Sequence, residues 1–187
     1  EMDEKFVYSD FCSNNLSKYL IKESRKEGKI LVFLKPCDTY SFNQLIKEHR
    51  IVRENVYVVG VPCEGKTDGE TLKAKGIKGI LGIKAEGDNF AVETLAKADA
   101  LPERCLNCKS KKHMVYDELL GEEGEVLDSH RFDMVEKLEN MTPDERFEFW
   151  RGELSRCIRC NACRNVCPAC SCEKCVFDND NSGIAQK

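Results

Sequence analysis

The stretch Cys157-x2-Cys160-x2-Cys163-x3-Cys167-Pro168 constrains this chain more than any other feature. Two-residue gaps let successive sulfurs converge from one tight loop, and the proline turns the chain away after the last of them. That spacing is the bacterial ferredoxin run, in which thiolates take the corners of an iron-sulfur cube. Zinc is the competing occupant, but tetrathiolate zinc sites normally draw on two separated cysteine pairs, not three cysteines in series closed by Cys-Pro. Cys170, Cys172 and Cys175 follow, bringing the segment to seven cysteines, one fewer than two all-cysteine cubes require. Either one cysteine is a bystander beside a single [4Fe-4S] cube, or a second cube borrows a ligand from elsewhere. Cys105 and Cys108 are the nearest donors in sequence.

Twelve cysteines in 187 residues do not describe a disulfide scaffold here. The chain is long enough to bury a core without covalent staples, and its first hundred residues read as ordinary hydrophobic α/β sequence. Crowded thiols in a reducing compartment usually bind metal. With 33 acidic against 29 basic side chains, the chain lacks the positive excess that phosphate neutralisation demands, so nucleic acid is not an expected partner. No apolar run approaches the roughly 20 residues that cross a bilayer, and no charged-then-apolar leader opens the sequence. A cytoplasmic, soluble protein is the expectation.

Lys29 to Lys35 and Asn55 to Val61 are short apolar runs rich in branched and aromatic residues, the profile of strands buried on both faces. Each follows helical sequence. Ser13 to Glu27 places Leu16, Tyr19, Leu20 and Ser24 on one stripe, and Thr39 to Arg50 does so with Phe42, Leu45 and Ile46. Helix, strand, helix, strand predicts a small, open, mostly parallel sheet with helices, whose ligands gather beyond the strand C-termini. A short helix is expected at Thr67 to Lys75 and another helical pattern near Phe90 to Ala98; the glycine-punctuated run from Gly76 to Ile83 has no clear assignment. Thr142-Pro143-Asp144-Glu145 supplies an N-cap, a proline at the first helical position and a capping-box glutamate, predicting a helix through Phe147, Trp150 and Leu154. The expected organisation is an α/β domain over 1–109, a charged connector over 110–141 with a helix from about Arg131, a ferredoxin-like iron-sulfur module over 142–177, and a mobile tail over 178–187.

Cys37 and Cys63 each follow a proline and a strand, so both should project at one rim of the sheet. With Cys105-x2-Cys108 they total four, enough for a further cube built by the body itself. The alternative is that Cys37 and Cys63 are small buried hydrophobes, and a Cys-x2-Cys pair alone also serves zinc or redox dithiols. Cys12, at a helix start, reads as structural. His49, His113 and His130 lie in charged sequence and read as solvated. Lys109, Lys111 and Lys112 could offset the negative charge of a nearby cluster, or simply form a wet face. Phe147, Phe149 and Trp150 are expected to pack the cysteine module onto the body. No G-x-G-x-x-G fingerprint follows either strand, and Gly65-Lys66-Thr67 lacks the earlier glycine of a phosphate loop, so no motif supports a dinucleotide.

Lys35-Pro36-Cys37-Asp38, the Gly60-Val61-Pro62-Cys63-Glu64-Gly65 turn, Leu101-Pro102-x2-Cys105-x2-Cys108 and the Arg156 to Pro168 run together resemble the beta subunits of deazaflavin (coenzyme F-420) reducing hydrogenases and formate dehydrogenases. The resemblance extends from about Phe11 to Phe177. It implies an iron-sulfur, often flavin-bearing, electron-transfer subunit of an anaerobic oxidoreductase complex, of hydrogenase, formate dehydrogenase or heterodisulfide reductase type. Such a subunit relays electrons between a larger redox catalytic subunit and a small electron-carrier protein or soluble coenzyme. It needs no catalytic acid or base of its own. FAD or a deazaflavin, if bound, belongs at the loops around Cys37 and Cys63. Members of that family are usually longer, which leaves this chain as a fragment, a divergent short member or one part of a split protein. The contrasting readings are a zinc-stabilised interaction module without redox role and a flavin- or deazaflavin-dependent oxidoreductase.

Overall fold

A computed structural model of the chain describes residues 7–76, 85–86, 89–90, 95–96 and 100–175. The glycine run beyond Gly76 and the polar stretch from 176 onward lie outside the described residues.

Strand β1 (Ile30–Leu34) pairs in parallel with β2 (Val56–Gly60), from Ile30 opposite Val56 to Leu34 opposite Gly60. A third, two-residue strand further along the chain, Glu118–Leu119, pairs in parallel with the far edge of β2. The small open parallel sheet with helices is therefore present. Helix α2 (Pro36–Lys47) covers one face, together with the short helix α1 (Leu20–Glu23) and a 3-10 turn at Leu16–Lys18. Between them Leu20, Val32, Leu34, Phe42, Leu45, Ile51, Val56 and Val58 form the core. On the other face Leu31 and Tyr57 are 59% and 46% exposed, so the strands are not buried on both sides. A continuous apolar run conceals which of its alternating side chains meets a covering layer.

The first helical segment also differs from expectation. Leu16 and Tyr19 are exposed, and the buried residues are Ser17, Leu20 and Ser24. Small hydroxyl residues win these places because they hydrogen-bond locally: Ser17 Oγ donates to Asn15 Oδ1, and Ser24 Oγ accepts from the Val52 amide at 3.1 Å. Helix α3 (Gly69–Ala74) forms where a short helix was predicted, capped by Asp68, whose side chain accepts from the Thr71 amide at 2.8 Å. Of the pattern expected near Phe90 to Ala98, residues 91–94 and 97–98 lie outside the described residues; the described pairs β3 (Ala85–Glu86), β4 (Asn89–Phe90) and β5 (Leu95–Ala96) form an antiparallel sheet with Phe90 opposite Leu95. Apolar residues five apart suit that cross-strand pairing as well as a helix, and so short a pattern does not discriminate.

Helix α4 (Glu103–Leu106) follows, and then the sheet's third strand, β6 (Glu118–Leu119). Glu118 and Leu119, within the stretch expected as a surface connector, thus complete the sheet. His113 is buried at 3% exposure, its Nε2 hydrogen-bonded to the Val61 carbonyl at 3.1 Å, so it is not a solvated histidine. Asp117 ties β6 to β2 by accepting from the Val58 amide at 2.7 Å and from Arg53 at 2.6 Å.

Helix α5 (Asp133–Glu139), helix α6 (Pro143–Leu154) and the short helix α7 (Ala162–Val166) make up the remainder. The capping box at Thr142 and Glu145 forms as predicted, with the Glu145 amide donating to Thr142 Oγ1 at 3.3 Å and the Thr142 amide to Glu145 Oε2 at 2.9 Å. Arg146 joins the two helices by donating to the carbonyls of Leu138, Glu139 and Met141 at the end of α5. Phe147 and Trp150 do not pack onto the body: they are 65% and 47% exposed, and Phe149 meets only the Trp150 ring edge-on among the described aromatic contacts. The helical face of the sheet is already covered by α1 and α2, and this stretch meets the body through polar groups. Among the described residues no helix is long and apolar enough to cross a membrane.

Candidate functional site

The C-terminal ends of β1 and β2 open onto a cavity of about 250 Å³. Its first wall comes from the Lys35-Pro36-Cys37-Asp38 turn. Lys35 is extended, Pro36 sets the first helical position of α2, and Cys37 therefore lies in the first turn of that helix. Asp38 closes the turn: one carboxylate oxygen accepts from the Lys35 amide at 3.3 Å and from the Lys35 ammonium at 2.7 Å, and the ammonium also donates to the Asn14 carbonyl. Both members of this pair are buried. Burial pushes the Asp38 carboxyl up, against the pull of the Lys35 ammonium.

The second wall is the Gly60 to Thr67 turn. Gly65 has φ +131°, and a Cβ there would lie 2.5 Å from Leu101, so only glycine suits the position. That bend carries the chain from Cys63 to Lys66 and Thr67, and Thr67 is fixed by donating to the Ala100 carbonyl at 2.6 Å. Ala100 begins the third wall, in which α4 places Cys105 and the following turn places Cys108; its Sγ lies 3.3 Å from the Ser110 carbonyl. Arg104, in the same helix, is anchored by Asp68 at 2.9 Å.

Cys37, Cys63, Cys105 and Cys108, from three separate segments, all line this one cavity. Cys37 is exposed into it and the other three are half-buried; all are free thiols. Solvent reaches Cys37 through the opening, yet the surrounding protein pushes its thiol up to about 12, helped by Asp38, Cys63 and Cys108 and opposed by Lys35. Four cations, Lys35, Lys66, Arg104 and Lys111, share the lining with Asp38 as the one carboxylate. Of the three lysines at 109–112, Lys111 is the one on the cavity, while Lys109 covers the Tyr40 ring and Lys112 pairs with Glu123 at 3.6 Å. Lys66 and the buried Lys35–Asp38 pair are site residues that sequence reasoning passed over. A lysine's burial depends on what folds against it, and no local pattern announces it.

Seven of the remaining eight cysteines lie on one strip beyond α6. Arg159 and Asn161, on either side of Cys160, are left-handed, with φ of 57° and 60°, and this winds the loop tightly. The Arg159 amide points at Cys157 Sγ at 3.4 Å, and α7 carries Cys163. Cys157, Cys160, Cys163, Cys170 and Cys172 are exposed, Cys167 and Cys175 half-buried. Among the described residues no three His, Cys, Asp or Glu side chains, here or in the cavity, converge closely enough to hold a single metal ion.

This strip nears the body at Val166 and is fastened to it at residues 170–173. Val166 borders an open groove of about 540 Å³ with Asp68 and with Ser13, Asn15 and Arg104, and those last three residues line the four-cysteine cavity as well. Further along, Lys18 donates to the Cys170 carbonyl, Ser171 donates to Glu48 at 2.8 Å, and Glu173 accepts from Arg25 at 3.3 Å and Arg50 at 3.0 Å. These donors hold the carboxyls of Glu173 and Glu48 below the usual range. Cys12 stands apart in a turn, its thiol pulled down by the amide and hydroxyl of Ser9 and by Lys66 and Lys35, which outweigh the opposing effect of burial.

No family model matches the chain. Among curated proteins it is similar to the F420-dependent formate dehydrogenase 1 subunit beta of Methanococcus maripaludis, 24% identical, with 90% of this chain and 61% of that protein aligned. It is also similar to the F420-dependent formate dehydrogenase subunit beta of Methanocaldococcus jannaschii, 23% identical over 86% of this chain and 59% of that protein. The chain thus spans about three fifths of the length of these relatives. Similarity running through most of the chain, to two proteins of the same description, supports its resemblance to the beta subunits of F420-dependent oxidoreductases.

Proposed function

We propose that this chain is an iron-sulfur electron-transfer subunit of an oxidoreductase complex, with one [4Fe-4S] cluster in the sheet-end cavity and at least one more on the Cys157 to Cys175 strip. The convergence of Cys37, Cys63, Cys105 and Cys108 on a single cavity carries this reading. Four thiolates are the complete donor set of such a cube, and each binds a different corner, so the sulfurs need not crowd together as they would around one zinc ion. Four lining cations suit an anionic occupant. On the strip, the tightly wound Cys157 to Cys163 loop and the amide aimed at Cys157 Sγ supply the turn and the hydrogen bond that a thiolate ligand takes.

When bound, the clusters supply one-electron transfer. The chain's own residues hold the ligands in place, fix their charge environment and set the order of the centres. Val166, beside Cys167, borders a groove that shares Arg104, Ser13 and Asn15 with the cavity, so the strip approaches the cavity's rim there. Electrons would pass along this line between a larger redox subunit and a soluble carrier, in keeping with relatives described as beta subunits and as F420-dependent. Free thiols throughout suit a reducing cytoplasm.

Anaerobic purification with metal analysis tests the assignment. The expected product is brown, contains iron and sulfide in equal amounts, and bleaches with dithionite. A colourless protein containing zinc would establish the interaction-module reading instead.

A further inference from the structure

We infer that Lys66 is a built-in counter-cation for the cavity's cluster, acting as a positioning residue that sets its reduction potential without ligating it. This rests on reading the cavity as a cluster site. Lys66 lines that cavity and is only 6% exposed. The other anchored cations there have carboxylates: Lys35 has Asp38 at 2.7 Å, and Arg104 has Asp68 at 2.9 Å. Among the described residues Lys66 has only neutral partners. Its ammonium donates to the Ser9 carbonyl at 3.1 Å and sits 4.0 Å from the centre of the Tyr8 ring.

Burying an ammonium without an anion is costly, and a carbonyl and a ring face recover only part of the lost hydration. The negative charge can come from the occupant of the cavity that Lys66 lines, beside which the Cys12 thiol, itself pulled down by Lys66, is the competing source. A cube ligated by four thiolates is anionic and gains one more negative charge on reduction. A fixed cation beside it therefore favours the reduced form and raises the potential. Lys66 is three residues from Cys63 and is steered by the Gly65 turn, so the same bend that aims a ligand also aims its counter-charge.

The test compares the full chain with Lys66→Met and Lys66→Arg, each reconstituted anaerobically. The cavity cluster is identified as the paramagnetic signal that a Cys37→Ala, Cys63→Ala double variant lacks. At the dye poise where this cluster is half reduced in the parent protein, Lys66→Met should show a reduced-to-oxidised ratio at least tenfold lower, a shift of 59 mV for one electron. Lys66→Arg should remain within threefold of the parent. Without metal, Lys66→Met should unfold at the same or a higher temperature, because it removes a buried cation that then lacks an anion. If Lys66→Met takes up no cluster, that metal-free comparison decides. Undiminished stability means the cation was needed for the cluster, whereas a lowered melting temperature makes Lys66 a pin for the Ser9 segment and overturns the inference. An unchanged ratio in a loaded Lys66→Met protein overturns it too. A parent protein without iron instead defeats the cluster reading itself, so the two failures are distinct.

Discussion

The sheet body and the cysteine strip obtain their order by different means. In the body, Leu34, Phe42, Leu45 and Val58 are essentially sealed from water, and the sheet-end cavity is assembled by turns that this core holds in place. Beyond His113 no described residue is buried, although the stretch contains Phe147, Trp150, Leu154 and Ile158. It is held by a capping box, by Arg146 across α5 and α6, and by the polar clasps at Cys170 to Glu173. The body thus has a hydrophobic reason to fold before any metal arrives. The strip has local hydrogen bonds and thiols, and metal binding would contribute the rest of its order.

The largest effect that sharpens this contrast is on stability. Phe42→Ala should cost about 3–5 kcal/mol in urea unfolding, the usual penalty for emptying a well-packed aromatic site. Trp150→Ala should remain within about 0.5 kcal/mol of the parent. A Trp150 penalty as large as that of Phe42 would show that the strip shares the body's core. Next comes Gly65→Ala, expected to cost about 1–3 kcal/mol because its backbone is left-handed and Leu101 occupies the space of the new methyl. It should also loosen the cavity and lower iron uptake at Cys63, a loss that metal analysis measures.

Thiol chemistry separates the regions more finely. In the metal-free protein the Cys37 thiol, pushed up to about 12, stays protonated at pH 8 with a thiolate fraction on the order of 10⁻⁴. Its contribution to stability is fully present below the ordinary thiol range and is lost progressively as pH rises from that range through the folded value. Native Cys37 should therefore alkylate far more slowly than in urea, while Cys12, whose thiol is pulled down, should react first of the two under native conditions. Peptide mapping of iodoacetamide adducts checks the order. The smallest effect concerns the clasps. Glu173 and Glu48 are held below the ordinary carboxylate range, so their contribution is present above that range and fades as pH falls through the folded values. Hydrogen exchange at residues 170–175 should accelerate in acid before the amides of β1 and β2 do.

What could be read from the sequence depended on how local each signal was. Thr142-Pro143-Asp144-Glu145 carries its own start instruction, and α6 forms where those residues place it. Strands β1 and β2 were legible from their apolar runs, and the prolines before Cys37 and Cys63 brought both thiols to the same rim. Non-local facts were hidden. Glu118 and Leu119 are too short and polar to announce a strand, and they form one because Asp117 is tied to β2. The exposure of Leu31 and Tyr57 depends on what covers the other face of the sheet. Lys66 is buried because Tyr8 and Ser9, nearly sixty residues earlier, fold across it. Trp150 misled for the opposite reason: an amphipathic helix need not meet an apolar partner within its own chain.

Iron counting on the anaerobically loaded full chain tests the central claim most directly. A Cys37→Ala, Cys63→Ala double variant should lose about four iron atoms per chain relative to the parent while keeping those of the Cys157 to Cys175 strip. Iron per chain unchanged by the double substitution would contradict a cluster in the sheet-end cavity.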